Sequence, residues 1–316
     1  MSDLKALVET VRSAPGLLGK RDLRIVERFG VDGDDAALVE HRGEYLVICG
    51  EAISPPFLAA DPYGAGTAAV VTNVSDVRAM GGRPLALVDM LVSPDREHAD
   101  TVLDGMAWAS ERLGVPVVGG HVTIGHEPSL SASCTGVARR PLRGSAAQPG
   151  DTLLAAFAID GRYMSATRPF FTALHDRTPE QLRDDGEALV EVAEAGLCHA
   201  ARDVSMPGVA GSLLQMLEGA GCGAVLDLDR LPRPDGAPLE RWLLTFPSFG
   251  FLLAARPENA EAVAWAFTRR GLACAPCGEF DRTRVLRLAA GGVEAPVWDL
   301  ARTPLTGLGG SPSAGA

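Results

Sequence analysis

Hydrophobic and polar positions fall into two kinds of block along the chain. Over residues 97–113, Val102, Met106, Ala109 and Leu113 share one stripe, which predicts an amphipathic helix. Gly114 follows as its C′ residue, and Pro116 bars continuation. Residues 208–219 repeat the pattern with Val209, Leu213, Met216, Leu217 and Ala220 facing inward. Further helices are predicted over 64–80, 180–195 and 258–270. The run DAALVEHRGEYLVICGEAI predicts a hairpin, two β-rich segments around His41, Arg42 and Gly43. PVVGGHV predicts a strand running into a glycine turn, and SLSASCTGVA, residues 153–159, residues 223–228 and FGFLLAA read as further strands. Both halves mix strands with helices and carry few long parallel-sheet signals. That predicts two α+β units rather than one Rossmann sheet.

Length agrees: 316 residues suggest about two domains. The Pro/Gly/Ser/Arg segment RRPLRGSAAQPGD (139–151) is the best boundary. It gives an N-terminal domain over 1–145, a C-terminal domain over 146–306 and a disordered tail over 307–316, where no apolar residue but alanine follows Leu308. The start of the chain lacks the continuous apolar region of a secretory signal, and no apolar run reaches the ~18–20 residues that span a bilayer. The formal charge of −11 argues against nonspecific nucleic-acid binding, which needs a basic field. It still permits a polyanion such as ATP, if Mg²⁺ and backbone N–H groups offset the charge. Six dispersed cysteines among apolar neighbours fit reduced thiols in a cytoplasmic protein. Cys274 and Cys277 form one C-x-x-C with no second pair, which favours two packed thiols over a zinc site.

Four clusters carry candidate chemistry. Gly33-Asp34-Asp35-Ala36 sets two acids side by side; opening a strand, they would point to opposite faces, and an ordinary turn has the same residues. In Thr72–Pro84, Asn73 and Asp76 lie three apart on one face of an otherwise apolar helix. Polar groups there need partners, either a ligand or metal or a buried network. Gly119-Gly120 permits close backbone approach to a ligand, with His121 as a polar contact or a satisfied histidine. Asp203 and Ser205 precede the helix at 208; both are N-cap types, and a glycine-containing loop entering a helix is also a phosphate site.

In this order the clusters resemble the ATP-binding superfamily of aminoimidazole ribonucleotide (AIR) synthetase, thiamine-monophosphate kinase and selenophosphate synthetase. The resemblance covers about residues 20–290, is most specific over Asn73–Pro84, and is nearest to AIR-synthase-related proteins of unassigned substrate. It implies a PurM-like, two-domain α+β architecture. The N-terminal domain would form a dimeric β-barrel interface with its twin, beside a C-terminal α+β sandwich. It also implies ATP and Mg²⁺ as cofactors, a small-molecule substrate, and no nucleic-acid or membrane partner. Carried over residue by residue, Asp34, Asp35, Asp76 and Asp203 match the acids that hold metal and triphosphate. Asn73, Gly119, Gly120 and His121 match the nucleotide side.

The chain also departs from the pattern. Gly50-Glu51 stands where the kinases have a T-D pair; glutamate is one methylene longer, so a metal role for Glu51 would need a different geometry. Ala52–Phe57 replaces the E-G-V-H-F block of the thiamine-phosphate kinase, and Met206-Pro207 interrupts D-x-[ST]-x-G-G. The segment Gly16–Arg21 has the glycines and Lys20 of the selenophosphate synthetase loop but no cysteine, which argues against selenide chemistry. Lys20 is the candidate mobile cation over the phosphates, or a solvated lysine. These features imply an ATP-dependent enzyme that phosphorylates a small-molecule oxygen, whether as a kinase or to activate an amide for dehydration or cyclisation. The alternatives are a thiamine-monophosphate kinase-like enzyme and a non-catalytic nucleotide- or partner-binding protein.

Overall fold

The structure is a computed structural model that describes residues 2–29, 33–164 and 169–308. The chain opens with α1 (Ser2–Arg12), α2 (Pro15–Leu18) and a 3-10 segment, Gly19–Phe29. It then builds β1 (Ala37–His41), β2 (Glu44–Ile53), α3 (Pro55–Ala60), α4 (Pro62–Ala79), β3 (Arg83–Ser93), α5 (Arg96–Leu113), β4 (Val117–Ile124) and β5 (Ser129–Ala138). Residues Ala36–Pro141 form one compact unit together with Leu174–Glu191.

Its sheet runs β1-β2-β5-β3-β4, antiparallel except for the β3–β4 pair. The β1–β2 hairpin turns on Arg42 and Gly43, both at positive φ, as a two-residue turn that follows strand twist requires. Asp61 caps α4 by accepting from Gly64 N, and Asp95 caps α5 by accepting from His98 N. Gly114 ends α5 in the left-handed conformation that its position predicts. One face of the sheet packs Val47, Leu87, Leu91 and Leu130 with Val70, Val74 and Val77 of α4 and Val102 and Met106 of α5. The register places Ile48, Val88 and Met90 on the opposite face, where all three are exposed. The strand β3 is the main omission of the pattern reading; its apolar run follows the helix-ending Gly81-Gly82 without a turn signal of its own.

The second unit holds the other described residues. Its sheet strands are β6 (Thr152–Phe157), β9 (Ala200–Asp203), β10 (Gly223–Asp227), β12 (Gly250–Ala255), β13 (Ala273–Asp281), β14 (Val285–Ala290) and β15 (Val293–Asp299). They run in the order β15-β14-β10-β13-β6-β12-β9. The short strands β7 (Arg162–Tyr163), β8 (Phe170–Thr172) and β11 (Phe246–Pro247) make a separate small sheet. The unit's helices are α7 (Gly208–Ala220), α8 (Leu239–Leu243) and α9 (Ala260–Thr268), while α6 (Pro179–Glu194) lies mostly in the first unit. The core gathers Leu213, Leu214 and Leu217 of α7 with Leu153, Phe157, Leu252, Phe280 and Leu286 of the sheet. Cys277 is buried in it, at the β-bulge between Pro276 and Gly278.

The sequence places a single boundary at 145, whereas the compact units exchange two segments. Residues up to Asp35 group with the second unit, because Leu4, Leu7, Val8 and Val11 of α1 enter its core and Arg12 Nε donates to Val297 O at 2.7 Å. Residues 174–191 group with the first. There Leu174 and Leu182 join the core, Arg78 donates to Leu182 O at 3.1 Å, and His175 stacks on Trp108 at 4.5 Å. A buried Arg177–Asp185 pair at 2.9 Å closes that segment on itself. Of the tail expected over 307–316, Gly307 and Leu308 are placed: Glu218 of α7 accepts from the backbone N–H groups of Leu305, Thr306 and Gly307. Residues 309–316 lie outside the described residues.

Candidate functional site

In the second unit, the G-D-D turn precedes β1 instead of opening it. Its two acids have different local partners. Asp34 accepts from Ser145 N at 3.0 Å and Ser145 Oγ at 3.1 Å, one bond to each of its oxygens. Asp35 accepts from the backbone N–H of Asp203 at 2.9 Å and pairs with the Arg202 guanidinium at 3.1 Å. Arg202 also donates to Gly33 O at 2.9 Å, so one buried side chain grips both the turn's backbone and its acid. Gly33 takes φ +77, a conformation that favours glycine. Burial pushes the Asp35 carboxyl above its ordinary range, against the opposing pull of Arg202, the Asp203 N–H and Lys20.

Asp203, itself buried, ends β9 next to Arg202, and Val204–Pro207 leads into α7. No side-chain cap is made at the α7 N-terminus, and the Ser205 backbone N–H donates to Ser212 Oγ at 3.1 Å. The expected glycine-rich N-terminal loop is α2 running into a 3-10 segment. A side chain on Gly16 would strike the Met206 carbonyl, and Leu17 is fully buried. Lys20, the second residue of that segment, is half-buried and close enough for its charge to act on Asp35. Phe171 and Trp242 are core, packed edge to face at 5.3 Å, while Phe170 is half-buried and Arg162 exposed.

In the first unit, Asn73 and Asp76 lie on the buried side of α4. The Asn73 amide donates to Ala69 O at 2.8 Å, and the Cys49 thiol donates to Asn73 at 3.3–3.4 Å. Asn73 therefore has the partners of a buried network. Cys49 and Cys134 sit directly opposite each other on β2 and β5. Burial and the nearby Asp76 charge push both thiols up, Cys134 to about 12. Glu51 is exposed on β2, and its charge also reaches Cys49.

Gly119, Gly120 and His121 stand inside β4, not in a turn after it, and all three are exposed. Gly120 has a local reason to be glycine: any Cβ there would collide with the Asp89 carboxylate and carbonyl across the β3–β4 pair. His121 pairs in register with exposed Met90.

Sequence reasoning missed Arg202 and Asp89. Asp89 is buried, its Oδ2 has no hydrogen-bond partner among the described residues, and burial raises its pKa. A lone acid within the apolar run LALVDMLVS was the available signal, since a buried charge there needs a reason. Arg202 had a weaker one, a single cation before the motif acid.

Mg²⁺ prefers hard oxygen ligands, few of them carboxylates, with phosphates supplying others. Asp35 and Asp203, adjacent through the Asp203 N–H bond, offer that donor type, so this half of the donor set fits the ion.

Comparison with known proteins agrees with the motif order. Residues 33–138 match the family described as AIR synthase related protein, N-terminal domain, and residues 149–290 match its C-terminal domain. An uncharacterized Synechocystis protein, sll0787, is 35% identical, the match covering 97% of this chain and 99% of that one. The phosphoribosylformylglycinamidine synthase subunit PurL of Methanopyrus kandleri is 30% identical over 78% of this chain and 38% of its own length. Among solved structures, Thermotoga maritima PurL complexed with ATP aligns at a TM-score of 0.72 with 25% identity, covering 85% of this chain and 46% of PurL. This chain thus spans 38% and 46% of the lengths of these two PurL chains. With both domain families matched and the α+β halves in place, the chain belongs to the AIR-synthase-related family.

Proposed function

We propose that the protein is an ATP-dependent enzyme that transfers the γ-phosphoryl group to an oxygen of a small molecule, activating an amide for dehydration or cyclisation. The observation that carries this reading is the buried Asp35–Arg202–Asp203 arrangement at the G-D-D turn, in a chain whose relative PurL is seen with ATP. Phosphoryl transfer needs positioning and charge neutralisation more than a protein nucleophile. Bound Mg²⁺ would neutralise phosphate charge. In this proposal Asp35 and Asp203 hold the metal, and Asp76 and Glu51 supply further carboxylates. Asn73, Gly119, Gly120 and His121 serve the nucleotide side, with Lys20 the candidate catalytic cation. Asp34, bonded to Ser145 through both oxygens, shapes the turn. The test is ADP release from Mg-ATP across a panel of small primary amides and thiamine monophosphate. We expect release with an amide and none with thiamine monophosphate, whose E-G-V-H-F block is replaced here. Nucleotide binding with no release from any acceptor would favour the non-catalytic reading.

A homodimer is the proposed assembly, supported by the exposed apolar positions Ile48, Val88 and Met90 on one sheet face and by β4, an edge strand exposed along nearly its whole length. No helix among the described residues is long and apolar enough to cross a membrane. A cytoplasmic setting is proposed from the six free cysteines, five of them buried.

A further inference from the structure

We propose that Arg202 is a resident counter-cation that keeps free divalent metal away from Asp35, so that metal enters only together with nucleotide; the inference rests on the nucleotide reading above. Arginine stays protonated under all ordinary conditions, and its planar fork can engage two acceptors at once. Here one nitrogen meets Asp35 at 3.1 Å and another meets Gly33 O at 2.9 Å, and the side chain is only 7% exposed. The second Asp35 oxygen takes the Asp203 N–H at 2.9 Å. Asp35 therefore has a cation and an amide dipole already on its two oxygens.

A carboxylate so compensated attracts a hydrated Mg²⁺ weakly, because the ion must give up water for a ligand whose charge is already spent. Phosphate oxygens change the balance. They add negative charge beside the guanidinium and offer it a geometrically matched acceptor. Arg202 can then share its charge with phosphate while the Gly33 contact holds the turn, and Asp35 becomes available to the metal. Arg202 is a positioning residue in this account, acting through Asp35 and the turn.

The test is Mn²⁺ binding to the full-length chain, followed by electron paramagnetic resonance without nucleotide. Arg202→Met should tighten free Mn²⁺ about tenfold, since a cation beside the ligand is removed. Arg202→Lys, which keeps the charge, should stay near wild type, and Arg202→Met with Asp35→Asn should lose the gain. Unchanged or weaker Mn²⁺ binding in Arg202→Met would overturn the proposal, because a purely structural arginine would lower affinity when removed. Should Arg202→Met fail to fold, the wild-type protein decides. Free Mn²⁺ must bind at least about tenfold more weakly than in the presence of ADP, and equal affinity overturns the proposal. Failure of wild type to bind ADP by calorimetry would sink the nucleotide reading separately, leaving the Arg202→Met comparison to stand on its own.

Discussion

Asp34, Asp35 and Asp89 are three acids with three local fates. Ser145 engages both oxygens of Asp34, Arg202 and a backbone N–H engage those of Asp35, and Asp89 keeps one oxygen without a partner among the described residues. The sequence made the first two legible as a pair and could not divide them, because the partners come from residues 145 and 202–203, far along the chain. Asp89 carries a consequence for stability. Its folded pKa lies above the unfolded value, so the native state binds more protons than the unfolded state in that window, and stability falls as pH rises through it. Asp89→Asn should therefore gain stability relative to wild type at pH 8, by about 1 kcal/mol, and lose that advantage near pH 4. Urea denaturation at the two pH values measures this; an equal difference at both would contradict it.

Among elements, α4, α5, α7 and the β1–β2 hairpin were legible because local chemistry agreed with tertiary position. Stripes on α5 and α7, capping acids Asp61 and Asp95 before α4 and α5, and left-handed glycines Gly114 and Gly221 after α5 and α7 agree with where these elements lie. The misreadings have one cause: glycine is ambiguous. Gly16 and Gly19 suggested a loop where Gly16 instead lets α2 lie on the Met206 carbonyl. Gly119-Gly120 suggested a turn where both residues belong to β4, and Gly120 leaves room for Asp89. The β3–β4 ladder depends on that space. Gly120→Ala should destabilise the protein by about 1–3 kcal/mol, because backbone as well as side chain must shift to admit a methyl group. Calorimetric melting tests it, with Gly119→Ala, where a Cβ meets open space, as the near-neutral comparison.

For the molecule as a whole, composition and pattern foretold two α+β halves, and the family match supports them. The exchange of the N-terminal segment and of residues 174–191 was hidden, since buried apolar stripes do not say which core they enter. At this scale the exposed sheet face predicts self-association. Sedimentation velocity at micromolar concentration should show a dimer, and Met90→Glu with Ile48→Glu should convert it to a monomer, because two charges per copy would have to be desolvated. A wild-type monomer would contradict this.

Net acidity also bears on the whole molecule. A chain of formal charge −11 gains nothing from a polyanion in general, so nucleotide binding must depend on metal and on a few placed groups. The most direct measurement is isothermal titration with a non-hydrolysable ATP analogue, with and without Mg²⁺, on wild type, Asp203→Asn and Asp76→Ala. Wild type is expected to bind in a Mg²⁺-dependent way, and either variant to lose at least about tenfold. A flat trace for wild type, or binding indifferent to Mg²⁺ and to both substitutions, would contradict it.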